Sequence, residues 1–147
     1  MKIGNNLLLF ASLVALAACG GEKKESGENE AAEHTAPAAA PGAAATGDTI
    51  TIEAWTDATG NYFKPNKVEA HPGDVLHFVL KAGVHNVHFL PDSNTIKTGL
   101  PPASDMLQLP DQAYDLVVDL QPGHYYWQCD PHAALGMKGH LEVEKKD

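Results

Sequence analysis

Cys129-Asp130-Pro131-His132-Ala133-Ala134-Leu135-Gly136-Met137 sets a thiol, an imidazole and a thioether within one short stretch, spaced C-x2-H-x4-M. Soft sulfur donors together with imidazole favour copper over magnesium, calcium or manganese. The stretch reads as a loop between two strands. Before it, Tyr125, Trp127 and Cys129 share a face; after it, Lys138–Glu144 alternates Leu141 and Val143 inward with His140, Glu142 and Glu144 outward. The same two-residue period recurs upstream in Thr49–Trp55, Lys67–Ala70, Val75–Lys81, Val84–Leu90 and Tyr114–Leu120. The His71-Pro72-Gly73-Asp74 and Gln121-Pro122-Gly123 turns punctuate it. About seven short strands in one domain predict an all-β, antiparallel Greek-key β-sandwich. Residues 91–113, with Pro91, Pro101, Pro102 and Pro110, read as a long loop with one helical turn near Ser104–Leu107.

The loop alone leaves a copper site one imidazole short. Gly83-Val84-His85-Asn86-Val87 offers it, because alternation puts His85 on the inward face of its strand and Cys129 on the inward face of a later one. In a sandwich the two can meet at one end. Two histidines and a cysteine in a plane, with a distant axial methionine, describe a blue-copper electron-transfer site. Other readings compete. A buried structural thiol would leave His132 and Met137 unexplained. Zinc has little use for Met137. A cysteine nucleophile needs a separate general base. His71, His77, His88, His124 and His140 read as surface or edge residues; a second metal site at His88 or His140 is the alternative.

The chain has 147 residues and ten positive side chains, all lysine, against 19 Asp and Glu, a formal charge of −9. That argues against nucleic acid, whose binding leaves a clustered basic footprint. Two cysteines rule out a disulfide framework. At the start, Lys2 precedes an apolar run from Leu7 to Ala18, short for a membrane-spanning helix and typical of an export signal. It ends in Leu16-Ala17-Ala18-Cys19-Gly20, which resembles the bacterial lipobox. The resemblance implies a signal peptide over 1–18, cleavage before Cys19, a diacylglycerol on its sulfur and attachment to a membrane facing the periplasm, the outer membrane before the inner. Residues 19–47 are rich in Glu, Ala and Pro without aromatics or periodicity, and read as a disordered tether. Residues 48–147 form the domain.

Those residues resemble the cupredoxins, in the plastocyanin and pseudoazurin branch, over about 49–145. The likeness rests on Phe63-x-Pro65, Pro72-Gly73-Asp74-Val75, His85-Asn86-Val87, Cys129-x-Pro131-His132 through Gly136-Met137, and Gly139-His140-Leu141-Glu142-Val143. It implies copper ligation by His85 Nδ1, Cys129 Sγ, His132 Nδ1 and Met137 Sδ. It also implies that Asn86 supports the thiolate by hydrogen bonding. Two departures stand out: Gln128 where plastocyanins carry Tyr before the cysteine, and His88 where they carry an apolar residue. The function implied is a one-copper carrier, not an enzyme. It is expected to act as a monomer, passing single electrons between redox proteins such as a c-type cytochrome, an oxidase or a reductase. The alternative is copper storage, resistance or delivery. A single domain argues against a nitrite reductase or multicopper oxidase.

Overall fold

The computed structural model describes residues 44–145. The expected signal peptide, Cys19 and the tether as far as residue 43 lie outside them. The backbone joins the domain two residues before the expected boundary: Thr46 and Gly47 both donate to the Gly73 carbonyl, at 3.0 Å each.

Seven strands follow: β1 (Thr49–Asp57), β2 (Gly60–Lys64), β3 (Lys67–Ala70), β4 (Val75–Leu80), β5 (Ala113–Val117), β6 (Gly123–Gln128) and β7 (Lys138–Val143). They form two sheets, ordered β2-β1-β4-β5 and β3-β7-β6. The sandwich and its strand number match expectation, but the sheets are mixed rather than antiparallel. β1 pairs with β4, and β3 with β7, in parallel. The chain leaves β1 through the β2 hairpin, crosses to the other sheet for β3 and returns beside β1. Side-chain alternation is identical in parallel and antiparallel strands, so the pattern carries no information on direction.

Strand membership also differs. Val84–Leu90 is not a strand; it is pinned by two isolated bridges, His85 to Leu107 and His88 to Gln128. His85, Val87 and Phe89 are buried as alternation predicts, but Asn86 is buried too, which breaks the period. The seventh strand is instead β2, where only Phe63 is buried. It pairs with β1 through a tight turn at Ala58 and Thr59, fixed by Asp57 Oδ1 accepting from the Thr59 backbone N–H at 2.7 Å. The helical turn falls at Pro91–Ser93, not at 104–107, where Leu107 bridges to His85.

Between the sheets, Trp127 packs edge-on to Phe63 and Phe78, with centroids 5.9 and 5.6 Å away. Such aromatic pairs add to the area they bury. Gly139 lies opposite Trp127 in the β6–β7 register, and any Cβ there would collide with the indole ring. This close approach keeps β6 and β7 flush as they lead into and out of the 129–137 loop.

Candidate metal centre

At one end of the sandwich the 129–137 loop meets the 85–88 segment. Cys129 directly follows β6, and a 3-10 turn over Asp130–Leu135 begins directly after it. Pro131 suits the first positions of such a turn, where no N–H is needed. Gly136 closes it in the left-handed region, at φ 93°, where a side chain would be strained. The loop is cross-braced: the Cys129 N–H donates to the Met137 carbonyl at 3.2 Å, and the Met137 N–H to the His132 carbonyl at 3.2 Å. The two bridges then seat the 85–88 segment. His85 exchanges both backbone bonds with Leu107, at 3.1 and 2.8 Å, and His88 exchanges both with Gln128, at 2.9 and 3.0 Å.

Three side chains converge as a result. His85 Nδ1 lies 3.1 Å from His132 Nδ1 and 3.5 Å from Cys129 Sγ, which is 3.3 Å from His132 Nδ1. Among the described residues this is the one His/Cys/Asp/Glu group whose donor atoms crowd closely enough to hold a metal. A triangle with these edges has a centre about 1.9 Å from all three atoms, close to the ~2.0–2.3 Å bonds that nitrogen and sulfur make to transition metals. The donor set and its spacing therefore fit a copper ion.

Hydrogen bonds aim the donors inward. Nε2 of His85 lies 3.0 Å from the Ala82 carbonyl oxygen, which can only accept, so Nε2 carries the proton and Nδ1 presents its lone pair. The Thr56 hydroxyl is 3.2 Å from the same Nε2 and 2.6 Å from Asn61 Oδ1. It donates to the amide oxygen and accepts from the imidazole. Burial pushes the His85 imidazole below its ordinary pKa, which favours the neutral, ligating form. Burial also pushes the Cys129 thiol up, and the Asp130 charge adds to that. The backbone N–H groups of Asn86 and His132 oppose it by donating to the sulfur.

The other expected residues fall as follows. Asn86 supports the sulfur through its backbone N–H, while its side chain turns to Asp130. Met137 is fully buried and tied by its backbone to both Cys129 and His132. Cys129 is a free, buried cysteine. Among the described residues neither His88 nor His140 joins a group of donors close enough to hold a metal: His88 Nδ1 contacts Asp130, and the His140 ring packs on Tyr126 at 5.8 Å. Sequence reasoning passed over Thr56, Asn61 and Asp130. Asp130 was legible only as a spacer within C-x2-H; its position next to the cysteine was the available signal. Leu100 is partly buried and packs against the core.

Fold and site together define a type 1 copper protein. Residues 50–144 match the family described as copper binding proteins, plastocyanin/azurin family. Plastocyanin of Vicia faba is 35% identical over 91 residues, 57% of this chain and 89% of its own. Pseudoazurin of Paracoccus pantotrophus is 35% identical over 106 residues, 71% of this chain and 68% of its own. Oxidized plastocyanin from Dryopteris crassirhizoma superposes with a TM-score of 0.52 at 25% identity, covering 65% of this chain and all of that one. The chain belongs to the plastocyanin/azurin family of copper-binding proteins, the cupredoxins, and is an electron-transfer protein that binds one copper.

Proposed function

We propose that this protein shuttles single electrons between redox partners at a bacterial cell envelope, using one copper ion that His85, Cys129, His132 and Met137 would hold. The convergence of two Nδ1 atoms and one Sγ within 3.5 Å carries the reading. Bound copper supplies the one-electron chemistry. The chain's own residues do the rest. Ala82 and Thr56 hold His85 in one tautomer, Asn86 and His132 steady the sulfur, and the braced loop keeps the donors in place through a change of charge. Small movement on gain or loss of an electron is what a carrier needs.

The surface supports a docking end. The exposed large apolar residues among the described ones are Val84, Leu109 and Leu135. Val84 adjoins His85, Leu135 follows His132 in its turn, and Leu109 lies two residues past the bridge to His85. His132 is partly exposed and Cys129 is not, so the imidazole edge is the favoured exit for the electron. Partners of c-type cytochrome, oxidase or reductase chemistry suit a carrier that makes no bond in a substrate. A single buried donor group among the described residues does not favour storage, which calls for several exchangeable sites. Anchoring through a diacylglycerol on Cys19 rests on the lipobox resemblance, and lipid labelling of the wild type but not of Cys19→Ser tests it.

Copper stoichiometry with a visible spectrum tests the site. One copper per chain with an intense blue thiolate band, abolished in Cys129→Ser, is expected. Several colourless Cu(I) ions per chain would overturn the carrier reading in favour of storage.

A further inference from the structure

Asp130 stands at the junction of three segments. On one side it forms a two-point ring with Asn86: its backbone N–H donates to Asn86 Oδ1 at 2.8 Å, and Asn86 Nδ2 donates to its Oδ2 at 2.9 Å. Asn86 is only 5% exposed, so these bonds fix a buried amide. On the other side, His88 Nδ1 lies 3.0 Å from each carboxylate oxygen. A carboxylate only accepts, so this nitrogen carries its proton and donates to the pair. Gln128 Nε2 donates to Oδ1 at 3.0 Å, and the Tyr126 hydroxyl holds Gln128 by donating to its Oε1 at 3.0 Å. The His88–Gln128 backbone bridge brings the two clamping side chains to the same place.

We propose that Asp130 is a positioning residue of the copper centre: clamped by His88 and Gln128, it holds Asn86 against the Cys129 sulfur, and its charge biases the site toward the oxidised state. The first half follows from the chain of bonds. Asn86 directly follows the donor His85 and Asp130 directly follows the donor Cys129, so the two-point grip of Asp130 on the Asn86 side chain locks together the two segments that carry these donors. The second half follows from charge. A fixed anion next in sequence to a ligating thiolate disfavours an added electron and favours the more positive state. The Asp130 side chain is 42% exposed, so water and salt weaken that bias without removing it, because the charge sits one residue from the sulfur. His88 and Gln128 satisfy the carboxylate oxygens by donating to them.

This inference rests on the copper reading, and the experiment separates the two. Full-length protein loaded with copper is titrated with redox mediators, following the visible band, for wild type, Asp130→Asn and His88→Lys. Asp130→Asn removes the charge and keeps an oxygen for Asn86. It should raise the reduction potential, lowering the oxidised-to-reduced ratio at the wild-type midpoint roughly threefold or more. His88→Lys leaves Asp130 in place but pairs it with a full cation, and should raise the potential by less. His88 is partly exposed, so a lysine there can reach water. If Asp130→Asn fails to fold or to hold copper, the His88→Lys shift decides. A potential unmoved or lowered in either folded variant overturns the proposal. So does lower melting of the metal-free variants with no change in potential, which is the signature of a purely structural role. A wild type with no blue band overturns the copper reading and this inference together. A blue wild type with unmoved variants overturns this inference alone.

Discussion

Met137 is the residue whose assignment rests most on its place in the loop. It is fully buried, and its backbone is locked to Cys129 and His132. As a thioether, a weaker donor than a thiolate or an imidazole, it would tune bound copper more than hold it. Met137→Leu should therefore keep the blue band and raise the reduction potential, because an apolar wall disfavours Cu(II) more than Cu(I). Met137→Gln should lower the potential by supplying an oxygen donor. Potentials not ordered Leu above Met above Gln would remove Met137 from the site. His85 yields a pH prediction. Burial, more than any other cause, holds its folded pKa below the ordinary imidazole value. A depressed pKa contributes stability that is present above the unfolded value and lost as pH falls through the folded one. Metal-free protein should thus lose denaturation free energy on acidification below about 6.5, more steeply than His85→Gln does. Equal slopes in urea melts would show that His85 is not desolvated. The donors were legible in the sequence because sulfur and imidazole at fixed spacing have few other uses. Their supports were not: Thr56 and Asn61 act on His85 from a hairpin far away in sequence, and Asp130 reveals its role only through Asn86.

Strands proved more legible than the segments between them. β3 and β7 read cleanly because each has one dry and one wet face. Val84–Leu90 read as a strand for the wrong reason: its buried positions face the site and its neighbours as well as the core. The segment over 91–113 hid an element of another kind. Asn94 is 4% exposed, and its side chain does the work of a missing strand. Its Oδ1 accepts from the Tyr126 N–H at 2.7 Å, while Nδ2 donates to the Tyr126 carbonyl at 2.9 Å and to the Leu90 carbonyl at 2.9 Å. The amide thus satisfies one residue on the edge of β6 and ties down the turn at Pro91–Ser93. No periodicity announces such a residue. Asn94→Ala strands these backbone groups in a buried place, at about 1–3 kcal/mol for each group left unpaired. A large drop in melting temperature, with the blue band intact at low temperature, is expected. A melting temperature within a degree of wild type would mean that water replaces the amide.

Over the whole domain, net charge and exposed apolar surface both bear on how a partner docks. Residues 48–147 carry seven Lys against 14 Asp and Glu, a balance of −7. The exposed large apolar residues among those described lie on the loops that carry His85 and His132 or adjoin them. The two features act at different stages of an encounter. Long-range charge sets how often a partner arrives and falls off with salt; short-range apolar contact sets whether it stays seated over His132. The acidic balance calls for a cationic partner, and a basic c-type cytochrome is a suitable probe. Its second-order rate of electron exchange with the copper protein should fall as ionic strength rises through ~0.15 M, where the screening length shrinks to about 8 Å. Leu135→Lys tests the second stage. Leu135 is 69% exposed, so the change should spare the fold, the blue band and the reduction potential. It removes apolar contact at the docking end and places a cation there that repels a basic partner. The rate should therefore fall below wild type at low salt. Screening removes the repulsion and leaves the lost contact, so at high salt the two curves should draw together without meeting. A wild-type rate flat in salt would reject steering. A Leu135→Lys curve that coincides with wild type throughout would place the exit away from His132.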